Sequence, residues 1–270
     1  MGAPLLFEHI QTHEDKKIKM DALSVIILAA GKGSRMKSDL PKVLHKVAGK
    51  PMILHVIACA GQVVPDDRIH VVVGYQAKTI QQTVARCYHV KFHMQHQLLG
   101  TGDAVKCALP ALSLDVRDVV VLYGDVPLIQ PETVTDLVST HRASHAQVTI
   151  LAADLENPTG YGRVLQDSCN RVVAIREEAD ASDDEKKIQR INTGIYCFDR
   201  RFLSSALNRL TPSNRQAEYY LTDVVSIACS DDKKITVKVL KHPDRIMGVN
   251  TLDDLEKTRN LAESVQNELP

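Results

Sequence analysis

Seven short apolar runs, rich in β-branched residues, recur along this chain at 24–29, 69–73, 119–123, 148–152, 171–175, 191–198 and 235–240. Several are uninterrupted, Val25-Ile26-Ile27 and Val119-Val120-Val121-Leu122 among them. A strand with one face in water alternates polar and apolar residues; an unbroken run belongs to a strand covered on both faces, as in a largely parallel sheet. Segments between the runs carry the helical period. One opens at Pro51 as first helical residue, sets Ile53, Val56, Ile57 and Ala60 on one face and stops at Gly61. Another opens at Pro131 with Val134, Leu137, Val138 and His141 on its inner stripe, and a last one covers 251–268. Strand–helix alternation with right-handed crossovers predicts an α/β fold, a Rossmann-like, doubly wound and mostly parallel sheet. No repeat, low-complexity tract or linker interrupts 22–250, which reads as one domain between a polar N-terminal extension (1–21) and a C-terminal helix (251–270).

Composition narrows the function classes. The 33 Lys and Arg balance the 33 Asp and Glu, so no net field attracts nucleic acid or an acidic membrane. Trp is absent and aromatics make up 4% of the chain, which leaves little for bases to stack on. The six cysteines, Cys59, Cys87, Cys107, Cys169, Cys197 and Cys229, include no C-x-x-C pair and fall mostly in apolar periodic segments. That pattern is one of reduced core thiols, not of a disulfide framework or a zinc site. No apolar stretch nears the roughly 18 residues of a membrane span. The first 21 residues lack the apolar core of a signal peptide, and Leu6 stands where N-myristoylation needs Ser or Thr. A cytoplasmic protein with no nucleic-acid or membrane partner is expected.

The first strand runs into "LAAGKGSRM", Leu28 to Met36, a glycine loop of a kind shared by several chemistries. A Walker A loop requires Lys after its last glycine, and here Ser34 follows Gly33. A dinucleotide fingerprint requires a third small residue where Met36 stands, and no acidic residue ends a second strand about 20 positions on. What remains is an amide-rich turn followed by two fixed cations, Arg35 and Lys42, a combination suited to wrapping a polyphosphate. A plain strand-to-turn junction with surface cations is the alternative.

"LAAGKGSRM" and the following "LPKVLHKVAGKPM" resemble the signature of the sugar-phosphate nucleotidyltransferases. "QHQLLGTGDAV", "VLYGDVPLI", "NPTGYGRV", "INTGIYCF", "QAEYYLTDV" and "GVN" continue the resemblance, in the family's order, over 23–250. It is closest to the members that transfer a uridylyl group from UTP to N-acetylglucosamine 1-phosphate, releasing pyrophosphate. The resemblance implies that Leu28, Ala29, Ala30, Gly31 and Gly33 hold the nucleotide and that Arg35 and Lys42 are catalytic. Gln95, Gly100 and Thr101 would meet the uracil edge, since an amide side chain offers both donor and acceptor, with Tyr123 and Gly124 beneath the nucleoside. Gly162, Glu177 and Asn192 would meet the sugar.

Asp125 and Asn250 are the implied ligands of Mg²⁺. Read without the resemblance, Asp125 ends a sheet strand at its carboxyl edge, where it either caps a turn or holds a metal. Asn250, with Asp253 three residues on, reads equally as the N-cap of the last helix. "AEYYLTDVV" reads as helix packing and support of the site. His141 and His145, spaced i, i+4 on one expected helix, lack an H-E-x-x-H context and are not a metal pair. His93 and His96 flank Gln95 on an expected strand without catalytic duty.

Some members of the family continue into a left-handed β-helix of hexapeptide repeats that carries acetyl transfer. No hexapeptide pattern is present in these 270 residues, so neither that domain nor that activity is expected in this chain. The oligomeric state is not legible. Rival readings are transfer of a thymidylyl or cytidylyl group, or to another sugar, and a catalytically silent nucleotide-sugar sensor on the same fold. A Rossmann oxidoreductase fails on Met36.

Overall fold

The computed structural model describes residues 20–241 and 243–267, so expectations for 1–19 and 268–270 lie outside the described residues. The first half of the chain comprises β1 (Leu23–Ala29), β2 (Lys46–Val47), β3 (Lys50–Pro51), α1 (Met52–Val63), β4 (Ile69–Val73), α2 (Ala77–Ala85), β5 (Lys91–Met94), α3 (Thr101–Ala108), β6 (Asp118–Tyr123) and α4 (Pro131–Ser144). The second half comprises β7 (Val148–Asp154), β8 (Gly162–Gln166), β9 (Val172–Arg176), β10 (Arg190–Asp199), α5 (Arg200–Leu207), α6 (Asp223–Ser230), β11 (Ile235–Val239) and α7 (Leu252–Asn267).

Seven strands form the sheet in the order β11-β7-β10-β6-β1-β4-β5, with the β8–β9 hairpin attached through β10. β1 lies between β4 and β6 and is parallel to both, with Val25 opposite Ile69 and Val120. β4–β5 and β7–β11 are also parallel, so the mostly parallel expectation holds. β10 is the exception, running antiparallel to β6 and β7.

The uninterrupted strands do bury both faces. Val25 and Ile27 face a core with α1 and α4, while Ile26 and Leu28 face a second core with α3, α5 and α6. Ile53, Val56, Ile57 and Ala60 of α1 are fully buried, as their spacing predicts. The ends of α1 differ from expectation. Pro51 closes the small β2–β3 hairpin and precedes the helix, which continues through Gly61 to Val63. Burial of Val63 and Val64 against the sheet outweighs the helix-breaking tendency of one glycine, worth about 1 kcal/mol.

Four strands have no counterpart among the expected runs: the two-residue β2 and β3 of the small hairpin and, in the main sheet, β5 and β8. β5 sits at the sheet edge and half-exposes Phe92 and His93, and β8 is a short strand following a turn, so neither has an uninterrupted apolar run. A third, smaller core joins Met36 and Val47 to Met52, Val249, Leu255 and Ala262, packing α7 beneath the glycine loop.

Candidate active site

The carboxyl edge of the parallel strands carries the site. β1 delivers Leu28 and Ala29 and runs into Ala30 and Gly31; β6 delivers Tyr123 and then Asp125. Gly33 adopts a left-handed φ of 62°, and a Cβ there would lie 2.6 Å from the Cβ of Lys42. Only glycine lets the loop turn that closely over the lysine. A tight turn over Ser34–Met36 then exposes Arg35 while Met36 enters the third core. The bulk of Met36, which removes the dinucleotide reading, thus fastens the loop to the segment ending in Asn250. A second turn, Lys42–Leu44, buries Val43 and Leu44 and so fixes the position of Lys42.

Four residues from three distant segments meet here. Lys42 Nζ forms an ion pair with Asp125 and donates to Asn250 Oδ1 at 3.1 Å. Arg35 Nη2 donates to the same oxygen at 2.9 Å. Backbone geometry supports the meeting, since Val249 N–H donates to the Asp125 carbonyl at 2.9 Å. Asn250 is not the N-cap of α7. Thr251 caps instead, its Oγ1 accepting from Asp254 N–H at 3.1 Å, while Asp254 Oδ2 accepts from the N–H groups of Asn250 and Thr251. That capping box moves the helix start one residue on and leaves the Asn250 side chain free to face Lys42 and Arg35.

Two adjoining cavities open on either side of this cluster. The first, about 220 Å³, is lined by Leu28–Gly31, Gln95, Leu98, Gly100, Thr101 and Tyr123. The second, about 340 Å³, is lined by Arg35, Tyr161, Gly162, Glu177, Asn192, Tyr220 and Asn250. Lys42, Thr101, Tyr123, Asp125 and Glu218 belong to both walls. Of the expected site residues, Gly33 and Gly124 line neither cavity. Gly124 instead ties β6 to β1, donating its N–H to Leu28 O at 2.9 Å. A larger cleft of about 700 Å³ between β9 and β11 holds none of these residues.

The polar groups are already oriented. Asn192 Oδ1 accepts from Tyr196 Oη at 2.8 Å and from Gly194 N–H at 3.1 Å, which leaves its amide nitrogen for the cavity. Gly194, with φ of 82°, passes so near Tyr123 that a Cβ would lie 2.7 Å from the ring. Glu177 accepts from Thr222 Oγ1 at 3.1 Å. Burial, and secondarily the nearby Asp223, Asp180 and Glu218, push its carboxyl above the usual range. Burial likewise raises Glu218 and Tyr123.

Glu218, Tyr220, Tyr161 and Gly194 stand in the site although the sequence did not mark them. Glu218 and Tyr220 lie in "AEYYLTDVV", whose expected part is packing and support of the site; the structure puts both side chains on the cavity wall itself. The histidine expectations need two corrections, for His145 and His96. His145 is not on the helix but ends it with a left-handed φ of 52°, so it shares no helical face with His141. His141 is buried and hydrogen-bonded to Thr149 at 2.9 Å. His96 lies past the end of β5, and His93 faces His70 on the neighbouring strand. The cysteines are all free, but only Cys59 and Cys197 are buried, and Cys87 and Cys169 are exposed. Those two sit in turns after α2 and before β9, outside the periodic core segments.

Fold and site together define a Rossmann-like α/β protein whose cations and oxygen donors gather at the carboxyl edge of its sheet. Comparison with known proteins specifies this further. The family model of the MobA-like NTP transferase domain matches residues 25–191. The bifunctional protein GlmU of Picosynechococcus sp. is 47% identical over 228 residues, 84% of this chain and 50% of that protein. GlmU of Geobacter metallireducens is 43% identical over 243 residues, 90% of this chain and 51% of that one. GlmU of Desulfotalea psychrophila is 40% identical over 239 residues, 88% and 69% respectively. Among solved structures, one described as a glucose-1-phosphate thymidylyltransferase from Bacillus anthracis, in complex with sucrose, superposes with a TM-score of 0.68. At 20% identity, covering 89% of this chain and 95% of that one, it attests the shared fold. The chain belongs to the MobA-like NTP transferase domain family. It spans about half the length of the first two GlmU relatives. Among the described residues no helix is long and apolar enough to cross a membrane.

Proposed function

We propose that this chain transfers a uridylyl group from UTP to N-acetylglucosamine 1-phosphate, yielding UDP-N-acetylglucosamine and pyrophosphate. The observation that carries this reading is the convergence of Arg35, Lys42, Asp125 and Asn250 between two cavities. One cavity suits a nucleoside and the other a sugar, and phosphates of both substrates would meet at the shared wall. The similarity to GlmU supports the choice of substrates.

The attacking group is a phosphate oxygen, ionised at neutral pH, so the reaction calls for positioning and charge neutralisation in place of a general base. Lys42, at the boundary of the two cavities, neutralises phosphate oxygens near the α-phosphorus. Arg35, exposed at the mouth, holds the departing β- and γ-phosphates together with the loop amides that precede it. Asn192, with its oxygen already engaged, offers an N–H donor to an acceptor on the sugar such as the N-acetyl carbonyl. Glu177 faces the sugar hydroxyls.

The donor set fits Mg²⁺. Asp125 and Asn250 place two hard oxygens against one ammonium, so both reach a common point. Among the described residues no group of three or more His, Cys, Asp or Glu gathers to cage a metal. Two protein oxygens with water and phosphate completing the shell is the usual arrangement for this ion. When bound, Mg²⁺ neutralises and orients the α-phosphate.

The test is pyrophosphate release across a panel of nucleoside triphosphates and sugar 1-phosphates. Turnover is expected with UTP and N-acetylglucosamine 1-phosphate. Preference for another pair would reassign the substrates, and silence across the panel would favour a sensor.

A further inference from the structure

Gln95 enters the first cavity with its amide already committed. Its side chain is 3% exposed, and its main-chain N–H donates to Val73 O at 2.8 Å, which anchors it to the end of β4. Its Nε2 donates to Gly100 O at 3.0 Å and to Asp103 Oδ2 at 2.8 Å. Both partners are acceptors only, a carbonyl and a carboxylate, so the NH₂ end of the amide must face them. Both N–H bonds are thereby used. What Gln95 has left for the cavity is the carbonyl oxygen Oε1.

Asp103 is itself held firmly. It lies in the first turn of α3, whose start is fixed by Gly102 N–H donating to Tyr219 O at 2.8 Å and by Thr101 Oγ1 accepting from Leu221 N–H at 3.0 Å. Asp103 is not among the residues lining the nucleoside cavity, and it acts through Gln95.

We infer that Asp103 is a positioning residue that sets nucleobase preference by fixing the Gln95 amide with its acceptor toward the base. This rests on reading the first cavity as the nucleoside site. An acceptor at that point pairs with the N3–H of uracil or thymine. It opposes the N3 lone pair of cytosine. Were the amide free to rotate, its NH₂ could meet cytosine instead and the preference would weaken. An amide in water presents either edge; this one presents one edge because two acceptors hold the other.

The experiment measures kcat/KM for UTP and for CTP, each with N-acetylglucosamine 1-phosphate, in the wild type, Asp103→Ala and Asp103→Asn. The wild type is expected to favour UTP by about a hundredfold or more, the scale on which unpaired polar groups reject a wrong ligand. Asp103→Ala removes one of two anchors and should cut the ratio about tenfold, the change falling on KM. Asp103→Asn keeps an oxygen acceptor for Gln95 and should restore the ratio to within about threefold of wild type. A merely structural role would lower both nucleotides equally. Wild-type preference for UTP with an unchanged ratio in Asp103→Ala overturns the role of Asp103 and leaves the nucleoside site standing. Absence of turnover with every triphosphate overturns the site reading and the inference with it.

Discussion

Arg35 is exposed, and its side chain donates to Asn250 Oδ1 in the site. Its neighbour Met36, by contrast, is 1% exposed and fastens the loop. Chemistry and structure are therefore divided between adjacent residues. Arg35→Ala should lower kcat by about 10²- to 10³-fold, the usual cost of losing one donor to developing negative charge. Its thermal midpoint should stay near that of the wild type. Pyrophosphate release and a melting curve on the same preparation check both halves, and an unchanged rate would remove Arg35 from the departing phosphates. Lys42 is different, because its removal also strips Asp125 of its ion pair in a partly buried setting, so a lost rate there mixes chemistry with rearrangement.

Among the elements, the β4–β5 edge holds Gln95 in place and contains a pH-sensitive contact. His70 of β4 is 1% exposed, and its Nδ1 lies 2.9 Å from Nε2 of His93 on β5, the two rings stacked. Burial, with the nearby His93 and Lys91 adding to it, lowers the His70 pKa from 6.5 to about 4. The folded protein therefore keeps His70 neutral where the unfolded chain takes up a proton. The resulting stability is fully present above about 6.5 and is lost as pH falls toward 4. The unfolding free energy from urea titrations between pH 7 and 4 should decline with a slope approaching about 1.4 kcal/mol per pH unit. His70→Gln, which cannot be protonated, should show a flatter profile. Equal slopes in the two proteins would place the acid sensitivity elsewhere.

For the whole molecule, the site is assembled from segments between Leu28 and Asn250, contributed by β1, β6, β8, β10 and the loops around α3 and α7. Such a site exists only when the sheet and the three cores are formed, so its ligands bind the native state and not the unfolded chain. UTP with Mg²⁺ at a hundred times its Kd should add about 2.7 kcal/mol to the unfolding free energy. A shift in the melting temperature reports it. Chelation of the metal should reduce the shift in the wild type and have little effect in Asp125→Ala, which lacks half of the oxygen pair. A nucleotide-induced shift in the wild type that ignores chelation would separate Mg²⁺ from Asp125 and Asn250.

The uninterrupted apolar runs determined which segments became strands covered on both faces, and the helical spacing of Ile53, Val56, Ile57 and Ala60 determined the buried face of α1. The glycine loop, the cations after it and the strand-terminal Asp125 were legible because they are local patterns with a defined chemistry. Tertiary structure decided the rest. Whether Pro51 began a helix, whether Gly61 ended one and whether Asn250 or Thr251 capped α7 depended on burial and on a competing hydrogen bond from Asp254. β5 was absent from the apolar runs because an edge strand has no need of one, and the strand expected around His93 and His96 ends at Met94. Above all, only the fold brings Asn250 against Lys42 and Asp103 against Gln95. Side-chain type and spacing act over a few residues, whereas the distance between remote positions is set by how sheet, helices and the Met36 core pack together.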